Sequence, residues 1–368
     1  MSQYRSIHQV RQGRTPLQAH RDLDGLVEDE LSREGFDGPT TLFYRHGDPQ
    51  KFRTEGRFRN TTFHSTVLKT SDSASADGVP QRLFHNDDVS IWTSRRQESM
   101  PWLFRNVDGD EAWFVHEGSG TVESEYGALK FGVGDYVYIP KGATRRWVVE
   151  EPLNLFGIET YSGQPRFPHY SGMGRHAPFD PDLLRLPVLG EAVTEPGEYR
   201  VRVKYDGEYS DVVYQSHPFD VLGWKGDLYP FAFNIADWSV ITSDSVHLPP
   251  SMHVFLTAPG VTMLNLLPRS AEKHPGAERA PFHHRNADYD EVSLIHGGSA
   301  FGLPLPPGLI DHSPQGIHHG WPQEVHDAVR EAKDAYDRVE WEIIMIETRK
   351  PLRVDTSLDE VEKVHVQF

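Results

Sequence analysis

Between Phe63 and Tyr161 the apolar positions come in short bursts bounded by turn residues: VSIWTS at 89–94, EAWFVHEG at 111–118, GTVESEYGALKFGVGDYVYIP at 120–140 and RRWVVEE at 145–151. Runs of this length, rich in β-branched and aromatic residues and closed by Gly, Pro or Asp, predict strands. A second series follows with VYQSHPFDVLGWKGDLYPFAFNI at 213–235, SMHVFLTAPG at 251–260, VTMLNLLPR at 261–269, EVSLIHGG at 291–298 and VEWEIIMIET at 339–348. Residues 162–200 carry Gly and Pro without a sustained period and predict a connection. Residues 1–60 are polar and broken, an arm or outer layer with one short helix expected around Asp22–Glu34. Another helix is expected in WPQEVHDAVREAKDAYDRVEWE, where Val325, Ala328, Val329, Ala332, Ala335, Tyr336 and Val339 recur at helical spacing behind Pro322. The pattern predicts an all-β chain with a few short helices. Its organisation reads as an arm and first unit over 1–170, a connecting segment over 171–210 and a second unit over 211–368. A length of 368 residues agrees, because it exceeds what one hydrophobic core usually supports.

Charge and composition remove several function classes. With 54 acidic against 37 basic residues the formal charge is −17, so neither nucleic acid nor an anionic membrane is an expected partner. Cysteine is absent, which excludes disulfides, thiolate metal sites, thiol nucleophiles and iron–sulfur clusters. Any metal must be held by nitrogen and oxygen. No run of 18 apolar residues occurs and the N-terminus has no apolar secretion segment, so a soluble cytoplasmic protein is expected. Histidine, by contrast, is abundant at 20 residues, and its clustering becomes the question.

An internal repeat answers it. FRNVDGDEAWFVHEG at 104–118 lies over HRNADYDEVSLIHGG at 284–298 without a gap, and IPKGATR at 139–145 lies over SPQGIHH at 313–319. A duplicated unit identifies corresponding positions within one chain. The two signatures resemble those of the cupin superfamily, His-x-His-(x3–4)-Glu-(x6)-Gly followed by Gly-(x5)-Pro-x-Gly-x-x-His. The resemblance implies two cupin units, each a double-stranded β-helix of the jelly-roll kind. At the superfamily's metal-ligand positions, His284, Glu291 and His319 of the second copy fall opposite Phe104, Glu111 and Arg145 of the first. One copy is equipped for a metal and the other is not.

Two neutral imidazoles and one carboxylate occupy one face of a divalent ion and leave positions for substrate and dioxygen, the arrangement of non-haem Fe(II) oxygenases; the same donors suit zinc, manganese or nickel. Asp290 is the rival carboxylate, since adjacent strand residues point to opposite faces and only one reaches inward. His283 and His318, next to two of these ligands, are the corresponding rivals and are read as neighbours that contact substrate.

Over roughly 213–350 the chain is also similar to the homogentisate 1,2-dioxygenases. The likeness rests on Pro218-Phe219-Asp220-Val221, Trp224-Lys225-Gly226, Tyr229-Pro230, His247-Leu248-Pro249-Pro250-Ser251, His284-Arg285-Asn286 and His319-Gly320. It implies Fe(II) on His284, Glu291 and His319. It also implies that His247 hydrogen-bonds the substrate phenol and exchanges its proton, with Arg285 as a candidate for a substrate carboxylate. The implied activity is extradiol-type cleavage of homogentisate or a related dihydroxyaromatic acid by O₂, in a homo-oligomer. The chain departs from the family at Ser299-Ala300-Phe301, where His-Tyr is usual, and at Phe282-His283, where Tyr-Tyr is usual. Its spacing from His284 to Glu291 is also one residue longer than the family's, whereas Asp290 keeps it. Another metal-dependent cupin enzyme, an isomerase or an oxygenase of a non-aromatic substrate, and a non-catalytic binding cupin are the alternatives.

Overall fold

The alternation of the short apolar runs is realised as antiparallel strands in the structure, a computed structural model that describes residues 10–33, 35, 38–168, 178, 180–332 and 335–361. The first unit is built on the long strands Asp110–Ser124 and Thr144–Thr160, which pair with each other and with Val89–Ser94, Gly127–Phe131 and Asp135–Ile139. In the second unit Asp290–Ala300 pairs with Arg338–Thr348 and Leu309–Ser313, and Val261–Leu266 extends the sheet. Each curls around its own apolar interior. Trp113, Phe131, Val137 and Trp147 fill the first, and Ile295, Leu305, Val339 and Trp341 the second. A third cluster joins the outer faces, with Phe84, Phe114 and Tyr136 of one unit packed among Phe233, Phe255, Val292 and Ile344. The chain is thus all-β, two jelly-roll units back to back.

The repeat is preserved down to single hydrogen bonds. Strands begin at equivalent residues in both copies: Leu103–Asn106 and His283–Asn286, Asp110 and Asp290, Asp135–Ile139 and Leu309–Ser313. The Gly142 amide donates to the Asn106 carbonyl and the Gly316 amide to that of Asn286, both at 2.7 Å. The Lys141 amide donates to Asp110 Oδ1 and the Gln315 amide to Asp290 Oδ1, both at 3.1 Å. The closing glycines Gly118 and Gly298 have φ of 88° and 84°, and a Cβ on Gly298 would collide with the Glu340 carbonyl oxygen. Only glycine tolerates both demands. The matching histidines His116 and His296 meet where the units touch, their Nδ1 atoms 2.9 Å apart.

Three expectations need correction. Among the described residues the segment expected to be helical around Asp22–Glu34 holds no helix, Glu34 itself lying outside them; Val27–Ser32 is a strand, parallel to His283–Asn286 and antiparallel to Thr40–Arg45. An available sheet edge outweighs the weak local helical preference. The later helix covers only Gln323–Glu331, and Val339 lies in the strand Arg338–Thr348, whose pairing ends the helical run. Sheet membership also crosses the expected boundaries. Tyr199–Tyr205, Glu208–Tyr214 and Phe231–Asn234 belong to the first unit's sheet, as does Arg353–Val354, while Thr61–His64 pairs in the second. No helix among the described residues is long and apolar enough to cross a membrane.

Candidate metal centre and its cavity

The strand His283–Asn286 and the loop carrying His319 are held together by a backbone bridge. The His284 amide donates to the His319 carbonyl at 3.1 Å and the His319 amide to the His284 carbonyl at 3.0 Å. Their imidazoles stand with ring centroids 4.1 Å apart. Glu291, one residue into the strand Asp290–Ala300, projects between them: its Oε2 lies 3.2 Å from His319 Nε2 and 3.9 Å from His284 Nε2. The three ligating atoms fall within 4.8 Å of one another, the group of this kind found among the described residues.

The outer nitrogens settle the tautomers. His284 Nδ1 lies 3.2 Å from the Phe282 carbonyl and His319 Nδ1 3.1 Å from the Ile317 carbonyl. Carbonyls only accept, so each Nδ1 carries a proton and each Nε2, on the side of Glu291, is the nitrogen left to bind a metal. Backbone acceptors hold metal-binding imidazoles in the same way in many proteins. Burial alone would raise the Glu291 carboxyl, but His319 and His284, when Nε2 also carries a proton, hold it well below the usual carboxylate range. An anionic carboxylate with two inward lone pairs is a donor set that fits a divalent cation.

Asp290 is turned away from this centre. Its carboxylate accepts from His312 Nε2 at 2.8 Å, the Gln315 amide at 3.1 Å and the Leu352 amide at 2.9 Å. The one-residue alternation along the strand puts Asp290 in the frame and Glu291 in the cavity.

The three donors open on a cavity of about 130 Å³, whose apolar wall includes Leu266, Ile295, Leu305, Trp341, Ile343 and Met345. Asn60, His247, Ser293, Asp311 and Ser313 supply its polar groups. His247, 6 % exposed, is fixed from behind: Arg269 Nη2 donates to its Nδ1 at 2.9 Å, and Glu272 Oε1, bonded to Arg269 Nη1 at 2.8 Å, lies 3.4 Å from the same nitrogen. A guanidinium can only donate, so Nδ1 is the acceptor and the ring proton sits on Nε2. Burial pushes this imidazole down to about 4. Glu272 opposes that shift and Arg269 reinforces it.

His283, Arg285 and His318 are placed elsewhere. They are not among the residues lining the cavity. Gln50 Nε2 donates to His283 Nδ1 at 2.6 Å, Arg285 Nη1 lies 3.3 Å from His318 Nε2, and that nitrogen lies 3.3 Å from Asp29 Oδ2. Alternation explains His283 and Arg285, since the strand neighbours of the inward-facing His284 point to the opposite face of the sheet. Asn60 and Asp311 were missed by sequence reasoning. Asn60 comes from the arm, and nothing local marked either residue.

In the first unit the equivalent backbone pair is Arg145 and Phe104. There Arg145 pairs with Glu111 with both side chains buried, and Glu111 also accepts from Asn106 Nδ2 at 2.8 Å and Trp113 Nε1 at 2.9 Å. A fixed cation from the chain occupies the place that two imidazoles leave open in the second unit.

Comparison with known proteins agrees with this picture. A family model described as "Homogentisate 1,2-dioxygenase N-terminal" matches residues 71–235, the half in which the motifs carried less likeness. A provisionally named dioxygenase of Saccharolobus solfataricus is 29% identical over 375 residues, covering 96% of both chains. Homogentisate 1,2-dioxygenases of Dictyostelium discoideum and Homo sapiens are each 27% identical, over 220 and 249 residues, covering 58% and 64% of this chain. Those matches span about half of the two enzymes, 51% and 55%.

Proposed function

We propose, for this chain of the homogentisate 1,2-dioxygenase family, an Fe(II)-dependent extradiol-type dioxygenase that opens a dihydroxyaromatic ring and places both atoms of O₂ in the product. The observation that carries the reading is the convergence of His284 Nε2, His319 Nε2 and Glu291 Oε2 at the wall of a ring-sized cavity, both imidazoles tautomerically set as ligands. Fe(II) bound there would supply open coordination positions and electron transfer toward dioxygen.

The chain's own groups do the rest. Glu291 lowers the charge of the site to one that a single phenolate balances. The apolar wall, Trp341 and Ile343 among it, excludes water from the ring's place. His247, in its Nε2–H form, donates a hydrogen bond to a ring hydroxyl or carbonyl oxygen. Burial and the Arg269 donor keep it in that form, so the neutral imidazole stabilises negative charge on the oxygen and does not begin as a base.

Metal analysis of anaerobically purified protein, O₂ uptake with a panel of hydroquinones and catechols, and mass spectrometry with ¹⁸O₂ test the proposal together. Near-stoichiometric iron and a ring-opened product carrying two labelled oxygens support it. A protein that takes up no iron, or one that binds iron but consumes no O₂ with any panel member, refutes it; the second result favours an isomerase or binding role for the same centre.

A further inference from the structure

The cavity's lining constrains the substrate further than the metal donors do. The sequence resemblance implied an aromatic acid, and a carboxylate buried beside the ring would need a cation or a set of donors. Among the described residues lining the cavity there is no lysine or arginine. Two arginines that contact or neighbour cavity residues are committed elsewhere. Arg269 spends its donors on His247, Glu272 and the Ser270 carbonyl, and its guanidinium lies over the Trp341 ring. Arg285 lies against His318 and over the Phe43 ring, on the side of the arm strand.

The cavity holds an acid in place of a cation. Asp311 lines it and accepts from Thr62 Oγ1 and, at 3.2 Å, from Ser313 Oγ. Asn60, His247, Ser293 and Ser313 add polar groups without a fixed positive charge, and apart from the three metal donors the rest of the surface is aliphatic and aromatic. Charge counting points the same way. A divalent ion with Glu291 carries one net positive charge, which one phenolate cancels, so a second anionic group would stand uncompensated in a low-dielectric space beside Asp311. In size, about 130 Å³ is close to the roughly 150 Å³ apolar cavity that accommodates benzene, enough for one ring with a small substituent.

We propose that this site takes a neutral dihydroxyaromatic, a hydroquinone or catechol bearing an alkyl group, and discriminates against the corresponding ring acid. The inference rests on the ring-cleavage reading for its chemistry, but not for its test. Methylhydroquinone and 2,5-dihydroxyphenylacetate differ only by a carboxylate in place of a hydrogen on the side chain. Their binding is measured anaerobically by calorimetry and by quenching of tryptophan fluorescence, on metal-free and on zinc-loaded full-length protein. The expected result is at least about tenfold tighter binding of methylhydroquinone to both forms. On the iron-loaded protein, kcat/KM for methylhydroquinone should be higher by on the order of 100-fold. Asp311→Asn should narrow the binding ratio by strengthening only the acid's affinity. Equal or tighter binding of the acid by the wild-type protein overturns the proposal. A binding preference for methylhydroquinone without O₂ uptake leaves the substrate class standing and sinks the ring-cleavage reading instead.

Discussion

Replacing Arg145 by methionine tests whether the first unit's centre is a structural substitute for a metal. Arg145 and Glu111 side chains are only 4% and 6% exposed, and the guanidinium lies over the rings of Phe104 and Trp147 at 4.9 and 5.4 Å. Burial alone would raise the Glu111 carboxyl; Arg145 is the leading cause that holds it low. Removing one member of such a pair leaves an uncompensated buried charge, which costs about 3–5 kcal/mol. Asn106 and Trp113 still donate to Glu111, which favours the lower end of that range. Replacing both members, Arg145→Met with Glu111→Leu, removes the stranded charge and is expected to recover most of the loss, as for other buried pairs exchanged for apolar residues. Asn106 keeps Glu159 as an acceptor at 2.7 Å in that variant. Urea unfolding followed by tryptophan fluorescence is the assay, since Trp92, Trp102, Trp113 and Trp147 of the eight tryptophans line, with Arg145 and Glu111, a cavity inside the first unit. A cost below about 1 kcal/mol for the single variant, or a double variant no more stable than the single, would refute the reasoning.

Four further outcomes are expected. His284→Ala and His319→Ala should abolish metal uptake, whereas Asp290→Asn should keep the metal and lower the melting temperature by loosening the His312, Gln315 and Leu352 contacts; metal analysis showing the reverse would exchange the roles of Asp290 and Glu291. His247→Ala should retain metal and lower kcat by about 10²–10³-fold, the loss of one preorganised donor, and turnover at the wild-type rate would remove His247 from the mechanism. Gly298→Ala should destabilise the second unit by more than the roughly 1 kcal/mol of an ordinary glycine effect, because its Cβ meets the Glu340 carbonyl; an unchanged melting temperature would contradict that geometry. Stability should also fall in acid. Burial pushes His247, His253 and His296 down to about 4 and His326 to about 3, so between pH 6.5 and 4 the unfolded chain binds protons that the folded chain does not. Each such group contributes up to about 1.4 kcal/mol per pH unit, lost as pH falls through that window. Glu30, pushed up to about 7 by burial, works in the opposite direction over part of it. Thermal melts of chelated protein from pH 7.5 to 5 should therefore decline, and a flat profile would show these imidazoles to be protonated in the fold.

Much of the site is legible because the chain contains its own comparison. The repeat alone places His284, Glu291 and His319 opposite Phe104, Glu111 and Arg145, and strand register preserves that correspondence. The substrate contacts are less legible. His283, Arg285 and His318 attract attention by standing next to ligands, yet adjacency along a strand carries a side chain to the opposite face. Asn60, from a segment read as an arm with little chemistry, reaches the cavity through the exchange of Thr61–His64 into the second sheet, and Asp311, between two strand residues of no distinctive pattern, through the pairing of Leu309–Ser313 with Asp290–Ala300.

By itself, the order of residues determined the strand-forming pattern, the duplication, the absence of sulfur ligands and two histidine donors with an adjacent pair of candidate carboxylates, because these depend on local spacing and composition. The tertiary structure alone decided which of two adjacent carboxylates faces inward, which strands cross from one unit's sheet to the other, and that the cavity walls are apolar with an acid and no cation among their described residues. Those outcomes depend on pairing between segments up to hundreds of residues apart, where each strand's partner and pleat, and not its own sequence, sets the direction of every side chain.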